Sequence, residues 1–258
     1  TRLCRDWSSD VCSSDLREFY KFLRLFSTET ELKILKDFNR GKNYTKLVKI
    51  FEDSKIHFKK YCSVDTFTSS TKRKPLPPIP LAINSTNDVV SILEGKSTNS
   101  VIGIGKKNLD FIYIEREISP LRTPGGIPYE TGKSGKSSGI GGLDFIGWNI
   151  KDNLPILGEI KVKNDENPFF AIIQLLTYLS ELSSPNQVKR INYTELFGKR
   201  KVGNKFYLYI LLSNYGSDSN HQNFLDESKK LAKHLEQNIK EIKEIVFLKL
   251  DKIGRAHV

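Results

Sequence analysis

Three charged side chains near the middle of the chain have the types and spacing needed for chemistry on a phosphodiester. Asp144 lies in an apolar run, residues 143–149, and Glu159 and Lys161 lie in a second run, residues 156–163. The composition of these runs and the short polar turn between them predict a β-hairpin. Successive side chains of a strand point to opposite faces, so Glu159 and Lys161 share one face. The pattern predicts a cluster of two acids and a lysine on neighbouring strands.

Such a cluster suits metal-assisted hydrolysis. Mg²⁺ binds roughly six oxygen ligands at about 2.1 Å and usually takes only one or two of them from carboxylates. The metal polarises a phosphoryl oxygen and lowers the pKa of a bound water. A neighbouring lysine then orients that water or offsets charge in the transition state. We therefore expect Mg²⁺ or Mn²⁺ as the cofactor.

A helix is predicted after the second strand. Asn167-Pro168 is typical of a helix start, with proline at the first helical position, and residues 169–182 carry apolar side chains in almost every turn. Gln174 and Tyr178 add polar groups to this run, and their i, i+4 spacing places them on one helix face.

This order of residues resembles the PD-(D/E)XK nuclease superfamily, in the QxxxY branch of RecB-like and lambda-exonuclease-like nucleases. The resemblance covers roughly residues 87–252. It is carried by Asp144, Glu159, Ile160, Lys161, Gln174 and Tyr178.

The resemblance implies a role for each of these residues. Asp144 and Glu159 would bind the metal together with the carbonyl oxygen of Ile160. Lys161 would be catalytic, and the two residues of the helix motif would steady the active site or the DNA. Leu143 stands where the family commonly has proline. Many relatives also carry an upstream acid, for which the sequence offers four candidates: Glu94, Glu115, Glu117 and Glu130.

The acid-x-lysine triplet alone is weak support, because it also begins at Glu31, Asp53, Glu94, Glu227 and Glu241. The triplet that begins at Glu159 differs from these five, because it lies on an apolar strand between an aspartate-bearing strand and an apolar helix. The alternative without chemistry is a half-exposed hairpin, with a surface ion pair between Glu159 and Lys161 and with Gln174 bonded to a loop.

The charge of the chain favours a polyanionic partner. The formal net charge is +11 and the pI is about 9.4, and contacts from lysine and arginine to phosphate supply most sequence-independent affinity for DNA. Lys133 and Lys136, in the glycine-rich segment 121–142, and Lys163 are the expected phosphate contacts. The GKSGKS stretch is not a Walker loop, because Glu130 stands where that loop needs glycine.

Cysteine and histidine usage indicates neither a disulfide framework nor a zinc site. Cys62 is the one cysteine outside the first sixteen residues. His57, His221 and His234 are widely spaced, and we interpret them as surface or capping residues. No run has the length of a membrane helix or the form of a signal peptide, so a cytoplasmic location is expected.

The two ends of the chain are predicted to derive from a sequencing adapter. Residues 10–15 can be encoded by a DNA sequence whose reverse complement encodes the last six residues, 253–258. Residues 1–16 and 253–258 are therefore set aside. The remaining chain divides into a helical region (17–62), a Pro-rich linker (63–86) and the nuclease-like domain (87–252).

The predicted fold is α/β, a restriction-endonuclease-like αβββαβ core with a mixed sheet flanked by helices. Beyond the central hairpin and helix, we expect helices at 88–93 and 222–242 and strands at 111–118, 205–213 and 245–250. The expected function is a Mg²⁺-dependent deoxyribonuclease. The alternatives are a non-catalytic nucleic-acid-binding protein of the same fold and a basic protein that binds another protein. Endo or exo cleavage, DNA or RNA, and the oligomeric state stay open.

Overall fold

The computed structural model describes residues 16–61, 67–69, 82–96, 98–103, 108–120, 143–163, 167–193, 195–216 and 218–250. Within these ranges the helices are α1 (Leu16–Leu23), α2 (Thr28–Phe38), α3 (Tyr44–Tyr61), α4 (Thr86–Glu94), α5 (Pro168–Leu182), α6 (Pro185–Tyr193) and α7 (Ser219–Asn238). The strands are β1 (Phe67–Ser69), β2 (Asn99–Gly103), β3 (Asn108–Pro120), β4 (Leu143–Asn149), β5 (Leu154–Val162), β6 (Phe206–Ser213) and β7 (Ile242–Lys249).

The strands form one mixed sheet. Its five central strands lie in the order β3-β4-β5-β6-β7, antiparallel from β3 to β5 and parallel from β5 to β7. The short strand β2 pairs antiparallel with both β3 and β7, and β1 pairs with the far end of β3. The predicted α/β class and the mixed sheet flanked by helices are confirmed.

The two faces of the sheet are covered by different helices. Leu157 of β5 and Ile210 of β6 belong to the larger core, which includes residues of α1, α2, α3, α5 and α7. Ile156 and Tyr209 point the other way, into a smaller core closed by α4. Within the predicted helical region, the described residues 17–61 lie in or between α1, α2 and α3, and these helices share the core of α5.

Helix α5 lies at the centre of the larger core. Its N-cap is Asn167, whose Oδ1 accepts hydrogen bonds from the N–H groups of Phe169 and Phe170, and Pro168 occupies the first turn as predicted. Almost all its side chains are buried. Each fully buried leucine or phenylalanine contributes about 1.5–3 kcal/mol, so packing rather than helix propensity stabilises this helix.

Several predicted boundaries are wrong. The expected αβββαβ order omits β2 and α6, and the proposed linker contains β1 and the buried Ile83. Strand β2 reads NSVIG, which is too short for a clear alternation. Helix α4 begins at Thr86 rather than 88, because Ser85 and Asp88 form a capping box.

The predicted helix 222–242 is also misplaced. Asp218 caps α7 by accepting hydrogen bonds from the N–H groups of Asn220 and His221. At the other end Ile239 adopts an extended conformation, and Ile242 already belongs to β7. The helix therefore begins three residues and ends four residues earlier than predicted.

Leu16, set aside with the first fifteen residues, begins α1. It is buried, and its N–H donates to Oγ of Ser54 at 2.9 Å. Residues 1–15 and 251–258 lie outside the described residues. No helix in the described part of the chain is long and apolar enough to cross a membrane.

A buried ion pair joins the first helix to the end of α5. Nε and Nη2 of Arg17 lie 2.8 and 2.9 Å from Oε1 and Oε2 of Glu181, a two-point contact between side chains that are 6% and 1% exposed. Such a pair has a fixed geometry, and removing one partner leaves the other charge buried.

We predict that Arg17→Met lowers the free energy of unfolding by about 3–5 kcal/mol, because the carboxylate of Glu181 stays buried without its guanidinium. The double variant Arg17→Met/Glu181→Met should recover most of this loss. The measurement is urea denaturation, with Arg40→Met at an exposed position as the control. If Arg17→Met and Arg40→Met behaved alike, the ion pair would not stabilise the fold.

Candidate active site

The register of β4 and β5 places the predicted acids on the same face of the sheet. Phe145 lies opposite Gly158 and Ile146 opposite Leu157, so the next pair in this register is Asp144 with Glu159. Ile146 and Leu157 belong to the larger core. Asp144 and Glu159 therefore point towards the layer that contains α5.

Asp144 is fixed by the backbone of the neighbouring strand. Its Oδ2 accepts a hydrogen bond from the N–H of Ile160 at 2.7 Å. Amide donors favour the charged form of a carboxylate. The half-buried carboxylate is thereby held beside the strand that carries Glu159 and Lys161.

A glycine on β5 makes room for an aromatic ring of β4. A Cβ at Gly158 would lie 2.0 Å from the ring of Phe145, so only glycine fits opposite this phenylalanine without displacing it. The ring packs in the smaller core with Phe111. Gly158 thus leaves room for the Phe145 ring one residue before Glu159.

Glu159 and Lys161 lie inside the protein, with 2% and 6% of their surface exposed. Nζ of Lys161 is 3.6 Å from Oε2 of Glu159. The surface ion pair of the alternative interpretation is therefore wrong. An ionic pair removed from water loses several kcal/mol of hydration per ion, which its other contacts must offset.

A further contact to Lys161 comes from α5. Nζ of Lys161 donates to Oε1 of Gln174 at 2.6 Å. Tyr178 lies one turn further along the same helix, with its side chain buried. The structure thus brings Gln174 to the strand cluster, where the sequence pattern predicted it, rather than to a loop.

The four candidate upstream acids differ in where they lie relative to the sheet. Glu94 is exposed at the end of α4, on the opposite face of the sheet, and is excluded. Glu115 pairs in register with Ile146 and so shares the face of Asp144; its Oε1 accepts from the N–H of Arg116. The side chain of Glu117 and all of Glu130 lie outside the described residues.

Of the predicted phosphate contacts, Lys163 is described. It is exposed directly after β5, with a φ of 59°, and its Nζ donates to Oδ1 of Asn84 at 2.9 Å. Its ammonium therefore lies at the edge of the sheet where β5 ends. Lys133 and Lys136 lie outside the described residues.

The donor set at the site fits a small divalent cation. Among the described residues there is no cluster of three or more histidine, cysteine, aspartate or glutamate side chains. Mg²⁺ does not need one, because it commonly takes one or two carboxylates and completes its shell with waters and carbonyl oxygens. Asp144 on β4 and Glu159 on β5, with the main chain of Ile160 next to Glu159, match that pattern.

A second feature was not predicted from the sequence. A polar cavity of 460 Å³ lies where β5 and β6 end, between the first turns of α5 and α7; its lining includes Glu31, Asn167, Tyr215, Asp218 and His221. His221, interpreted as a surface or capping residue, contacts Asp218 there, with Nδ1 2.5 Å from Oδ2. The sequence signal for this cavity was the pair of helix caps, Asn167 and Asp218. Each follows a parallel strand, and parallel strands end at the same edge of a sheet.

Comparisons with protein-family models, with curated proteins and with solved structures find no match to this chain. A functional assignment therefore depends on the side chains and distances of the site itself.

Proposed function

We propose that this chain is a divalent-metal-dependent nuclease that hydrolyses DNA phosphodiester bonds, with a restriction-endonuclease-like core. The observation that carries the proposal is the buried ammonium of Lys161. It lies between Glu159 and Gln174, on the sheet face shared with Asp144.

Asp144 and Glu159 would hold the metal, together with the carbonyl oxygen of Ile160. When bound, Mg²⁺ or Mn²⁺ supplies Lewis-acid polarisation of the phosphoryl group and a water of lowered pKa. The N–H of Ile160 keeps the Asp144 carboxylate in place. The site thus presents preformed negative charge where a cation is needed and a fixed positive charge beside it.

Lys161 would stabilise charge that develops on the phosphoryl oxygens. An ammonium carries three donors, and Gln174 Oε1 fixes Nζ without neutralising it. Because the site excludes most water, an ammonium fixed in this way stabilises the transition state more than a solvated one would. Gln174 is in this proposal a positioning residue that acts through Lys161.

The overall charge supports DNA as the substrate. A chain of net charge +11 attracts a polyanion at long range. Two other functions compete with the proposal: a non-catalytic nucleic-acid-binding protein of the same fold and a basic protein that binds another protein. The presence of both acids and the lysine favours catalysis, since loss of a metal ligand is the simplest route to an inactive relative.

The first prediction concerns the acid and the lysine. Glu159→Gln and Lys161→Met should each lower Mg²⁺- or Mn²⁺-dependent cleavage at least about a hundredfold, because each removes a charge that acts in the transition state. DNA binding should be retained. Cleavage of linear and circular DNA, single- and double-stranded, is the measurement, and circular substrate also separates endo from exo cleavage.

The matched controls are Glu29→Gln and Lys240→Met, which change the same charges at exposed positions. They should leave cleavage unchanged. Wild-type protein that binds DNA but cleaves none of the four substrates with either metal would favour the non-catalytic alternative.

Gln174→Leu should lower kcat by about 10- to 100-fold, the usual effect of removing a group that orients a catalytic side chain. KM should change little, because the amide contacts Lys161 rather than substrate. The control is Gln222→Leu, which removes an exposed amide from α7. A rise in KM with unchanged kcat would instead indicate that Gln174 contacts DNA.

The salt dependence of the affinity for DNA distinguishes the two nucleic-acid functions from the protein-binding alternative. If about six phosphates are contacted, the affinity for DNA should fall on the order of a thousandfold between 50 and 200 mM salt. Fluorescence anisotropy with a labelled oligonucleotide, without added metal, measures this. Weak affinity at 50 mM salt, or a shallow slope, would argue for the protein-binding alternative.

A further inference from the structure

The polar cavity lies next to the candidate active site along α5. Phe170, in the first turn of that helix, lines the cavity, and Gln174 follows four residues later on the same helix face. Four residues of helix rise about 6 Å, which is of the order of one or two nucleotide steps along a strand. A polynucleotide whose phosphate is at Lys161 would therefore pass the mouth of the cavity.

The lining has the chemistry that recognises a nucleobase. Tyr215 contributes a half-buried aromatic ring and Asn220 an exposed amide, beside the more deeply buried rings of Phe170 and Phe224. A base offers a flat face for aromatic contact and polar edges for hydrogen bonds. The volume of 460 Å³ lies within the range of small-molecule sites, roughly 300–1,000 Å³.

The charges of the lining indicate how a nucleotide would be oriented. Glu31 is buried, and its Oε2 accepts a hydrogen bond from Nδ2 of Asn167 at 2.9 Å. This buried carboxylate makes the interior unfavourable for a phosphate. Asp218 also lines the cavity, but it is exposed and contacts His221. Arg24 also lines the cavity and is exposed, so a phosphate fits at the rim and the uncharged base inside.

We propose that this cavity binds a nucleobase of the substrate strand, one or two nucleotides from the bond that is cleaved. Its place beside the cleaved bond rests on the proposed function; its affinity for a base does not. The expected ligand class is a nucleotide whose base packs against Tyr215 inside the cavity and whose phosphate stays near Arg24.

The test uses a substitution that fills the cavity without touching the active site. Asn220 lines the cavity and is exposed in the first turn of α7. Asn220→Trp should therefore block the cavity, while the backbone N–H of residue 220 still donates to Asp218. Asn223→Trp, one turn further along and also exposed, is the matched control. Binding of the four deoxynucleoside monophosphates to the full chain, without metal, is measured by calorimetry.

Wild type and Asn223→Trp should bind at least one mononucleotide, and Asn220→Trp should weaken that binding at least about tenfold, as expected when a base loses its aromatic contacts. Deoxyribose 5-phosphate, which lacks the base, should bind far more weakly. The proposal is overturned if no mononucleotide binds, if both tryptophan variants bind alike, or if deoxyribose 5-phosphate binds as well as the nucleotides.

This result is independent of catalysis. A chain that binds the base in the cavity but cleaves no DNA would keep the base site and lose the proposed function. A chain that cleaves DNA but binds no mononucleotide would keep the function and lose the base site.

Discussion

The buried ammonium of Lys161 is the constraint on which the site depends. A lysine removed from water is unstable unless other groups replace its hydration. Two of these groups are Glu159 on the same strand and Gln174 on the helix above it. The position of α5 over β5 is therefore an electrostatic requirement as well as a packing preference.

Polar contacts connect α5 to other elements along its length. Asn167 at its start donates to Glu31 of α2, Gln174 in its middle accepts from Lys161, and Glu181 near its end pairs with Arg17 of α1. Apolar packing is tolerant of small rotations, whereas these contacts fix direction. The N-terminal helices thus help to set the position of Gln174, although they lie far from β5 in the sequence.

The parts of this arrangement that the sequence predicted are local. Strands β4 and β5 follow from their apolar runs, α5 from Asn167-Pro168, and the shared face of Glu159 and Lys161 from the two-residue repeat of a strand. The pairing of β2 with β7 joins distant segments, which periodicity does not reveal. Glu31 was treated as one of several chance triplets, and its contact with Asn167 becomes visible only when α2 packs beside α5. The cavity was missed for the same reason, because three separate segments build its wall.

The buried glutamate of the candidate site differs from the other buried glutamates in its contact with a cation. Among the described residues four glutamates are buried: Glu31, Glu159, Glu181 and Glu241. Glu181 pairs with Arg17 of α1 at 2.8 Å, and Glu241 pairs with Lys55 of α3 at 2.5 Å. Glu159 differs, because its cation is two residues away on the same strand, at 3.6 Å, and that cation bonds more closely to a neutral amide. A tight ion pair would hold the carboxylate and the ammonium to each other. The separation of 3.6 Å at Glu159 is longer than that of the two structural pairs, and in the proposed function the carboxylate would bind a metal while the ammonium would contact phosphate.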